Sequence, residues 1–333
     1  MNILIVEKCV IPVKLYGGTE RVIWALGKEL AKLGHNVTYL VNEGSSSNFA
    51  SIININNNES IIKQIPNDID VVHFNFFPKD IDQLNIPYII TVHGNVEDPN
   101  ALLDKNCVFV SKNHAERHSS DSYVYNGLDW SEYSTPNLNT NKNYFHFLGK
   151  ASWGVKNLKG AIDVIKATKS ERLAVLGGKR FSERVIKMGP SHVLSTRINF
   201  KGMVGGKTKE QLLNHSKGLL FPVVWHEPFG LAIIESLFYG CPIFGTPYGS
   251  LKELITDDVG FLSTKKNELA MALENSSKYS VKKCHEYALD MFNSKNMALA
   301  YVKKYEHVIN GAALNNSLPR LKNIQKEKYL AFS

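Results

Sequence analysis

Long apolar runs are missing from this sequence, and so are clustered cysteines. No uninterrupted hydrophobic stretch approaches the roughly 20 residues that a membrane-spanning helix needs. The four cysteines, Cys9, Cys107, Cys241 and Cys284, stand far apart without paired spacing. They suggest neither a zinc site nor a disulfide framework, and read as reduced, buried thiols. No Asp-x-Asp element is placed for a metal; Asp68-Ile69-Asp70 precedes a strand and reads as a turn. The opening Met1-Asn2-Ile3-Leu4-Ile5-Val6-Glu7 is too short and too soon acidic for a signal peptide. It reads as a first buried strand, and the chain is expected in the cytoplasm.

What is present fits a globular protein: 44% hydrophobic and 21% charged residues in a chain of 333. That length exceeds one ordinary core and suits two domains of roughly 150 residues each. The formal net charge of +8 admits three kinds of partner: nucleic acid, an anionic membrane surface, or a phosphorylated substrate. Arg320, Lys322, Lys326 and Lys328 gather near the end of the chain. No RNA-binding signature or zinc finger accompanies them, so no nucleic-acid partner is expected. A solvated basic surface kept for solubility stands beside peripheral contact with anionic lipid at the membrane's inner face.

Short apolar, β-branched runs alternate with helical patterns, the mark of α/β units around parallel sheets. In the first half the strands fall at Ile3–Val6, Val37–Val41, Asp70–Phe74, Tyr88–Val92 and Cys107–Val110, with Ser122–Tyr125 as a candidate last strand. Gly17-Gly18-Thr19-Glu20 opens a helix whose apolar positions Val22, Leu26, Leu30 and Leu33 recur every three or four residues. Asn54 to Asn58 reads as a loop. Pro136 to Asn143 has no hydrophobic period and reads as a linker. A second series follows at Phe145–Leu148, Leu173–Leu176, Ile198–Phe200, Gly218–Phe221 and Pro242–Gly245. Helical patterns lie between them at 156–168, 208–216 and 230–239. Beyond Glu268 the chain is mainly helical to about Asn310. Two α/β halves of one design bind ligands beyond the carboxyl ends of their strands.

The run with the most chemistry is Glu227-Pro228-Phe229-Gly230-Leu231-Ala232-Ile233-Ile234-Glu235. Its glutamates are eight positions apart, just over two helical turns. A helix beginning at Gly230 offers free backbone N–H groups and a positive dipole end, both suited to phosphate. A carboxylate accepts hydrogen bonds from the vicinal hydroxyls of a sugar or ribose. Read alone, such a pair is more often a helix cap and a solvated helix residue.

Its surroundings point elsewhere. Tyr239-Gly240-Cys241-Pro242-Ile243 and Gly249-Ser250-Leu251-Lys252-Glu253-Leu254-Ile255 follow it. Phe147-Leu148-Gly149-Lys150, Lys156-Asn157, Leu176-Gly177-Gly178 and Phe200-Lys201-Gly202-Met203-Val204 precede it. Gly17-Gly18-Thr19-Glu20-Arg21 and Tyr125-Asn126-Gly127-Leu128-Asp129 occupy the first half. In this order and spacing the chain resembles the retaining GT-B glycosyltransferases of family 4 over nearly its whole length.

The resemblance implies two Rossmann-like domains facing a central cleft. The acceptor side would take residues 1–140, completed by 310–333, and the donor side residues 141–309. It implies transfer of a hexose or N-acetylhexosamine from a nucleotide-diphosphate sugar, UDP ahead of GDP, to a saccharide or lipid-linked acceptor, as in envelope glycan or lipopolysaccharide synthesis. No cofactor or metal is required. Lys150 and Lys156 would hold the donor diphosphate and stabilise the charge that develops on leaving. Glu227 and the backbone at Phe229, Gly230 and Leu231 would bind the transferred sugar, and Glu235 the ribose diol. Gly202, Met203 and Val204 would lie beside the base. Gly17 and Gly18 would let backbone approach donor and acceptor. His93, in Thr91-Val92-His93-Gly94 at a strand end, would meet the transferred sugar or position the acceptor. His73, His114 and His118 are left as surface or core residues.

One residue departs from the family's pattern: Lys150 stands where Arg is usual. Arg clamps a diphosphate through two parallel hydrogen bonds, whereas Lys offers one movable charge. The first half is also short for the family, so its acceptor loops are trimmed. Two other readings share the plan: a nucleotide-sugar epimerase or hydrolase, which would release free sugar without an acceptor, and a non-catalytic nucleotide-sugar-binding protein.

Overall fold

The computed structural model describes residues 1–13, 17–322, 324–325 and 327–333, without the Arg184 side chain. Lys326, counted above among the basic residues, lies outside the described residues. The chain divides into two compact units, 1–130 with 292–324 and 131–291 with 325–333.

The first unit contains β1 (Asn2–Val6), α1 (Thr19–Lys32), β2 (Asn36–Val41), β3 (Ser51–Asn54), β4 (Val71–Phe74), β5 (Tyr88–Val92), β6 (Cys107–Phe109) and α2 (Lys112–Arg117). The second contains β7 (Tyr144–Leu148), α3 (Leu158–Ala167), β8 (Leu173–Leu176), α4 (Glu183–Ile186), α5 (Pro190–Val193), β9 (Ile198–Gly202), α6 (Gly206–Asn214) and β10 (Ser216–Phe221). It continues with α7 (Leu231–Phe238), β11 (Ile243–Gly245), α8 (Leu251–Leu254), β12 (Gly260–Leu262), α9 (Lys266–Glu274) and α10 (Val281–Met291). The final helix, α11 (Ser294–Ile309), returns to the first unit.

Each unit is built on one parallel six-stranded sheet. The orders are β3-β2-β1-β4-β5-β6 and β12-β11-β10-β7-β8-β9. Counted from its own first strand, each sheet runs 3-2-1-4-5-6, the doubly wound Rossmann order. That order reverses between β1 and β4, and again between β7 and β10. Ligands bind at such reversals, outside the carboxyl ends of the strands.

Covered on both faces, the inner strands are almost continuously apolar; Ile3, Leu4, Ile5 and Val6 have no exposed surface. The polar exceptions are satisfied. His73 on β4 bonds Tyr305 Oη at 2.8 Å and Thr91 Oγ1 at 2.7 Å. His146 on β7 bonds Ser216 Oγ at 2.6 Å and Ser236 Oγ at 2.9 Å. Burial pulls both imidazoles down to about 3.

Several expectations are revised. The division falls at 130/131, before the expected boundary at 140, and the linker 136–143 belongs to the second unit. It forms neither helix nor strand, yet it is anchored: Lys142 Nζ donates to the carbonyls of Asn214, Ser216 and Tyr239 at 3.0–3.3 Å. The return to the first unit begins at Phe292 rather than 310, because Tyr301 and Tyr305 on α11 bond Thr91 and His73. The last residues, 325–333, come back to the second unit. There the Leu330 N–H donates to the Val224 carbonyl at 2.8 Å and the Ser333 N–H to that of Thr264 at 3.0 Å. Strands β3 and β12 were not foreseen, and Ser122–Tyr125 yields a single bridge, Tyr123 to Phe109, rather than a strand. No helix among the described residues is long and apolar enough to cross a membrane.

Candidate active site

In the second unit the loops after β7 and β10 flank the reversal of strand order, and the backbone stitches them together. The Val224 N–H donates to the Val155 carbonyl at 2.9 Å. Asn157 Nδ2 donates to the Pro222 carbonyl at 2.9 Å, while its Oδ1 caps α3 by accepting from the Gly160 N–H at 3.0 Å. Lys156 sits between these two ties. Its Nζ lies 2.6 Å from Glu227 Oε2, which also accepts from Trp225 Nε1–H at 2.8 Å. The ammonium stands over the rings of Phe221, at 5.0 Å, and Trp225, at 5.1 Å. Both charged side chains are nearly buried, 12% and 7% exposed. A buried pair of this kind is weak evidence for stability but strong evidence for placement, since desolvation offsets much of the attraction.

Two glycines shape the Glu227 loop. Gly230 caps α7 at φ +91, a conformation that side chains rarely adopt. Gly249 has φ +63, and a Cβ there would sit 2.3 Å from both Glu227 N and Glu227 O. The Ser250 N–H then donates to the Glu227 carbonyl at 2.9 Å, and Ser250 Oγ to that of Phe229 at 2.7 Å.

Glu235, just over one turn into α7, is also buried and also paired with a lysine. Lys209 Nζ on α6 contacts Glu235 Oε1 at 2.5 Å, and Tyr133 Oη donates to the same oxygen at 3.0 Å. Neither Lys209 nor Tyr133 was singled out from the sequence. A signal existed for Lys209: it precedes the fully buried Leu213 by four residues, and so shares the inner face of α6.

The other expected donor residues lie at the same end of the second sheet. Lys150 follows β7 and is exposed, with no salt bridge among the described residues. Gly202 closes β9 and Val204 is half-buried, while Met203 is 55% exposed. Phe229 is buried and Leu231 half-buried at the start of α7.

In the first unit His93 follows β5 and Asn75 follows β4. His93 Nε2 lies 2.8 Å from Asn75 Oδ1. Because Asn75 Nδ2 donates to the Val6 carbonyl at 3.3 Å, its Oδ1 accepts from His93 Nε2–H. The Nδ1 of the neutral ring is then an acceptor. Burial pulls the His93 imidazole down to about 4. Gly18 caps α1, and the Gly17 carbonyl accepts from Arg21 Nε at 2.7 Å. The sequence reading passed over Glu7, at the end of β1. Burial pushes its carboxyl up to about 7; the Lys8 N–H opposes the rise and the Glu20 carboxylate adds to it. His73, His114 and His118 are all buried, hence core rather than surface.

Two parallel sheets of identical order define the GT-B fold, and solved structures agree. The chain superposes on the crystal structure of AviGT4, a glycosyltransferase involved in avilamycin A biosynthesis, with a TM-score of 0.76 at 20% identity, covering 93% of this chain and 98% of that one. Anabaena HepE in complex with UDP and glucose gives 0.66 at 16% identity, over 91% and 99%. The lipopolysaccharide outer core galactosyltransferase WaaB gives 0.65 at 14% identity, over 93% and 99%. Residues 131–287 match the family model described as glycosyl transferases group 1. The matched residues lie within the second unit. No curated protein matches the chain.

Proposed function

We propose that this chain is a retaining, metal-independent glycosyltransferase. It moves a hexose or N-acetylhexosamine from a nucleotide-diphosphate sugar, UDP ahead of GDP, to a saccharide or lipid-linked acceptor in envelope glycan synthesis. The observation that carries this reading is the Lys156–Glu227 pair beside the strand-order reversal of the second sheet. It brings a cation for diphosphate and a carboxylate for sugar hydroxyls to one point. UDP and glucose in the HepE complex and the galactosyltransferase activity of WaaB support a UDP-hexose donor.

In this reading Lys150 and Lys156 bind the diphosphate and stabilise its charge as the glycosidic bond breaks. Glu227 and the N-terminus of α7 hold the transferred sugar, and Glu235 accepts from the ribose diol. Gly202, Met203 and Val204 border the base, Gly17 and Gly18 admit donor and acceptor, and His93 Nδ1 accepts from a sugar hydroxyl. The acceptor hydroxyl attacks the face from which the diphosphate leaves, and a departing phosphate oxygen takes its proton. Binding energy from nucleotide and diphosphate orients the reacting carbon.

A thermal-shift panel of UDP-, GDP- and ADP-sugars against the wild type and Glu235→Ala tests the donor. A ligand that binds only the folded form raises the melting temperature. The expected result is a shift with one nucleotide series, reduced in Glu235→Ala. No shift with any donor at millimolar concentration would overturn the reading.

A further inference from the structure

Each glutamate of the Glu227–Glu235 run is paired with a lysine that is nearly buried, Lys156 for Glu227 and Lys209 for Glu235. The Lys209 side chain is 9% exposed and that of Glu235 3%. Its ammonium also lies 5.9 Å from the ring centre of Tyr133, the second donor to Glu235 Oε1. Tyr133 is fixed in turn by its neighbour. Ser134 donates to Glu210 Oε2 through its backbone N–H at 3.2 Å and through Oγ, and Tyr239 Oη donates to the Ser134 carbonyl at 3.3 Å. Two successive residues of α6 therefore act together: Lys209 holds Glu235, and Glu210 holds the segment that brings Tyr133 to it.

Two donors converging on one carboxylate oxygen fix both the position and the rotation of the group. A carboxylate this buried is retained only with paired charge and hydrogen bonds. We propose that Lys209, with Tyr133, is the positioning pair that aims Glu235 at the ribose hydroxyls of the donor, and thereby sets a preference for ribonucleotides over deoxyribonucleotides. This rests on the reading of Glu235 as the ribose contact. The competing view is that the pair only braces residues 133–134 against α6.

Calorimetric titration with UDP and 2′,3′-dideoxy-UDP distinguishes the two. If ADP or GDP is the base that the wild type prefers, the same pair of ligands is used with that base. Hydrogen bonds to a charged acceptor predict that the wild type favours the ribonucleotide by about tenfold or more. In Lys209→Met the ratio should fall to within about twofold, and Lys209→Arg, which keeps a cation, should restore most of it. A Lys209→Met protein that binds both ligands more weakly but keeps the wild-type ratio overturns the proposal, because a brace weakens both alike. Glu235→Gln guards the premise: if its ratio also stays at the wild-type value, the ribose reading itself fails. Should Lys209→Met not fold, Tyr133→Phe, which removes one hydroxyl, carries the test, and an unchanged ratio there overturns the proposal equally. Failure of every nucleoside diphosphate to bind the wild type removes the proposal together with the donor reading.

Discussion

Lys156 Nζ and Glu227 Oε2 lie 2.6 Å apart although 71 positions separate them in sequence. They meet because β7 and β10 are neighbours at the reversal of strand order, and because Val155 and Asn157 on either side of the lysine are hydrogen-bonded to residues 224 and 222. Lys156→Met should leave Glu227 buried without its counter-charge and lower unfolding free energy by about 3–5 kcal/mol. Pairing it with Glu227→Gln should recover most of that loss while transfer stays about 10²–10³-fold down. Urea unfolding beside a donor-turnover assay reads both quantities. Recovery of transfer in the double variant would contradict a diphosphate role for Lys156.

Glu7 gives a pH signature. Its folded pKa is raised to about 7 from 4.5, so the folded protein holds that proton more tightly than the unfolded chain. The associated stability is fully present below pH 4.5 and is lost as pH rises through about 7. Glu7→Gln, which cannot ionise, should therefore gain melting temperature relative to the wild type between those limits. A difference that stays constant with pH would show that Glu7 is not perturbed.

His93 predicts the opposite slope. Its folded pKa is lowered to about 4, so stability from the neutral ring is present above the ordinary imidazole range and lost as pH falls toward 4. An NMR titration of the His93 ring should show a midpoint near 4 in the wild type. The same titration in Asn75→Asp, which sets a carboxylate against Nε2–H, should show a higher midpoint, because an opposite charge favours the protonated ring.

Gly249 should tolerate no side chain. At φ +63, with a Cβ only 2.3 Å from Glu227 backbone atoms, Gly249→Ala should destabilise by at least about 2 kcal/mol. It should also weaken donor binding, since the Glu227 loop must move aside. Chemical denaturation and the thermal-shift panel together check this; unchanged values in both would show that the loop yields freely.

Most of the scaffold could be read from the sequence, because parallel strands buried on both faces announce themselves as short apolar runs such as Ile3–Val6 and Leu173–Leu176. The two strands that escaped lie at sheet edges: Ser51–Asn54 has no fully buried residue, and Gly260–Leu262 spans three residues. The α7 motif was equally visible, since its glutamates and Gly230 are close in sequence. Tyr133 was not, and for Lys209 the spacing to Leu213 marked only a helix face, because what makes both notable is contact with Glu235 across 102 and 26 positions. Glu7 was hidden for a related reason: its unusual proton affinity comes from burial at a strand end and from Glu20, neither of which its local sequence reveals.

The polypeptide passes between its units three times, at 130/131, 291/292 and 324/325. Neither unit is therefore a contiguous stretch that one cut could release. A fragment ending at residue 130 would lack Tyr301 and Tyr305, leaving His73 and Thr91 inside the first sheet without the hydroxyls they bond. A fragment of 131–291 would lack Leu330 and Ser333, whose N–H groups bond Val224 and Thr264. Each half is finished by chain made after the body of the other has been laid down, so a ribosome must pass Tyr305 before the first sheet has all its partners and Ser333 before the second does.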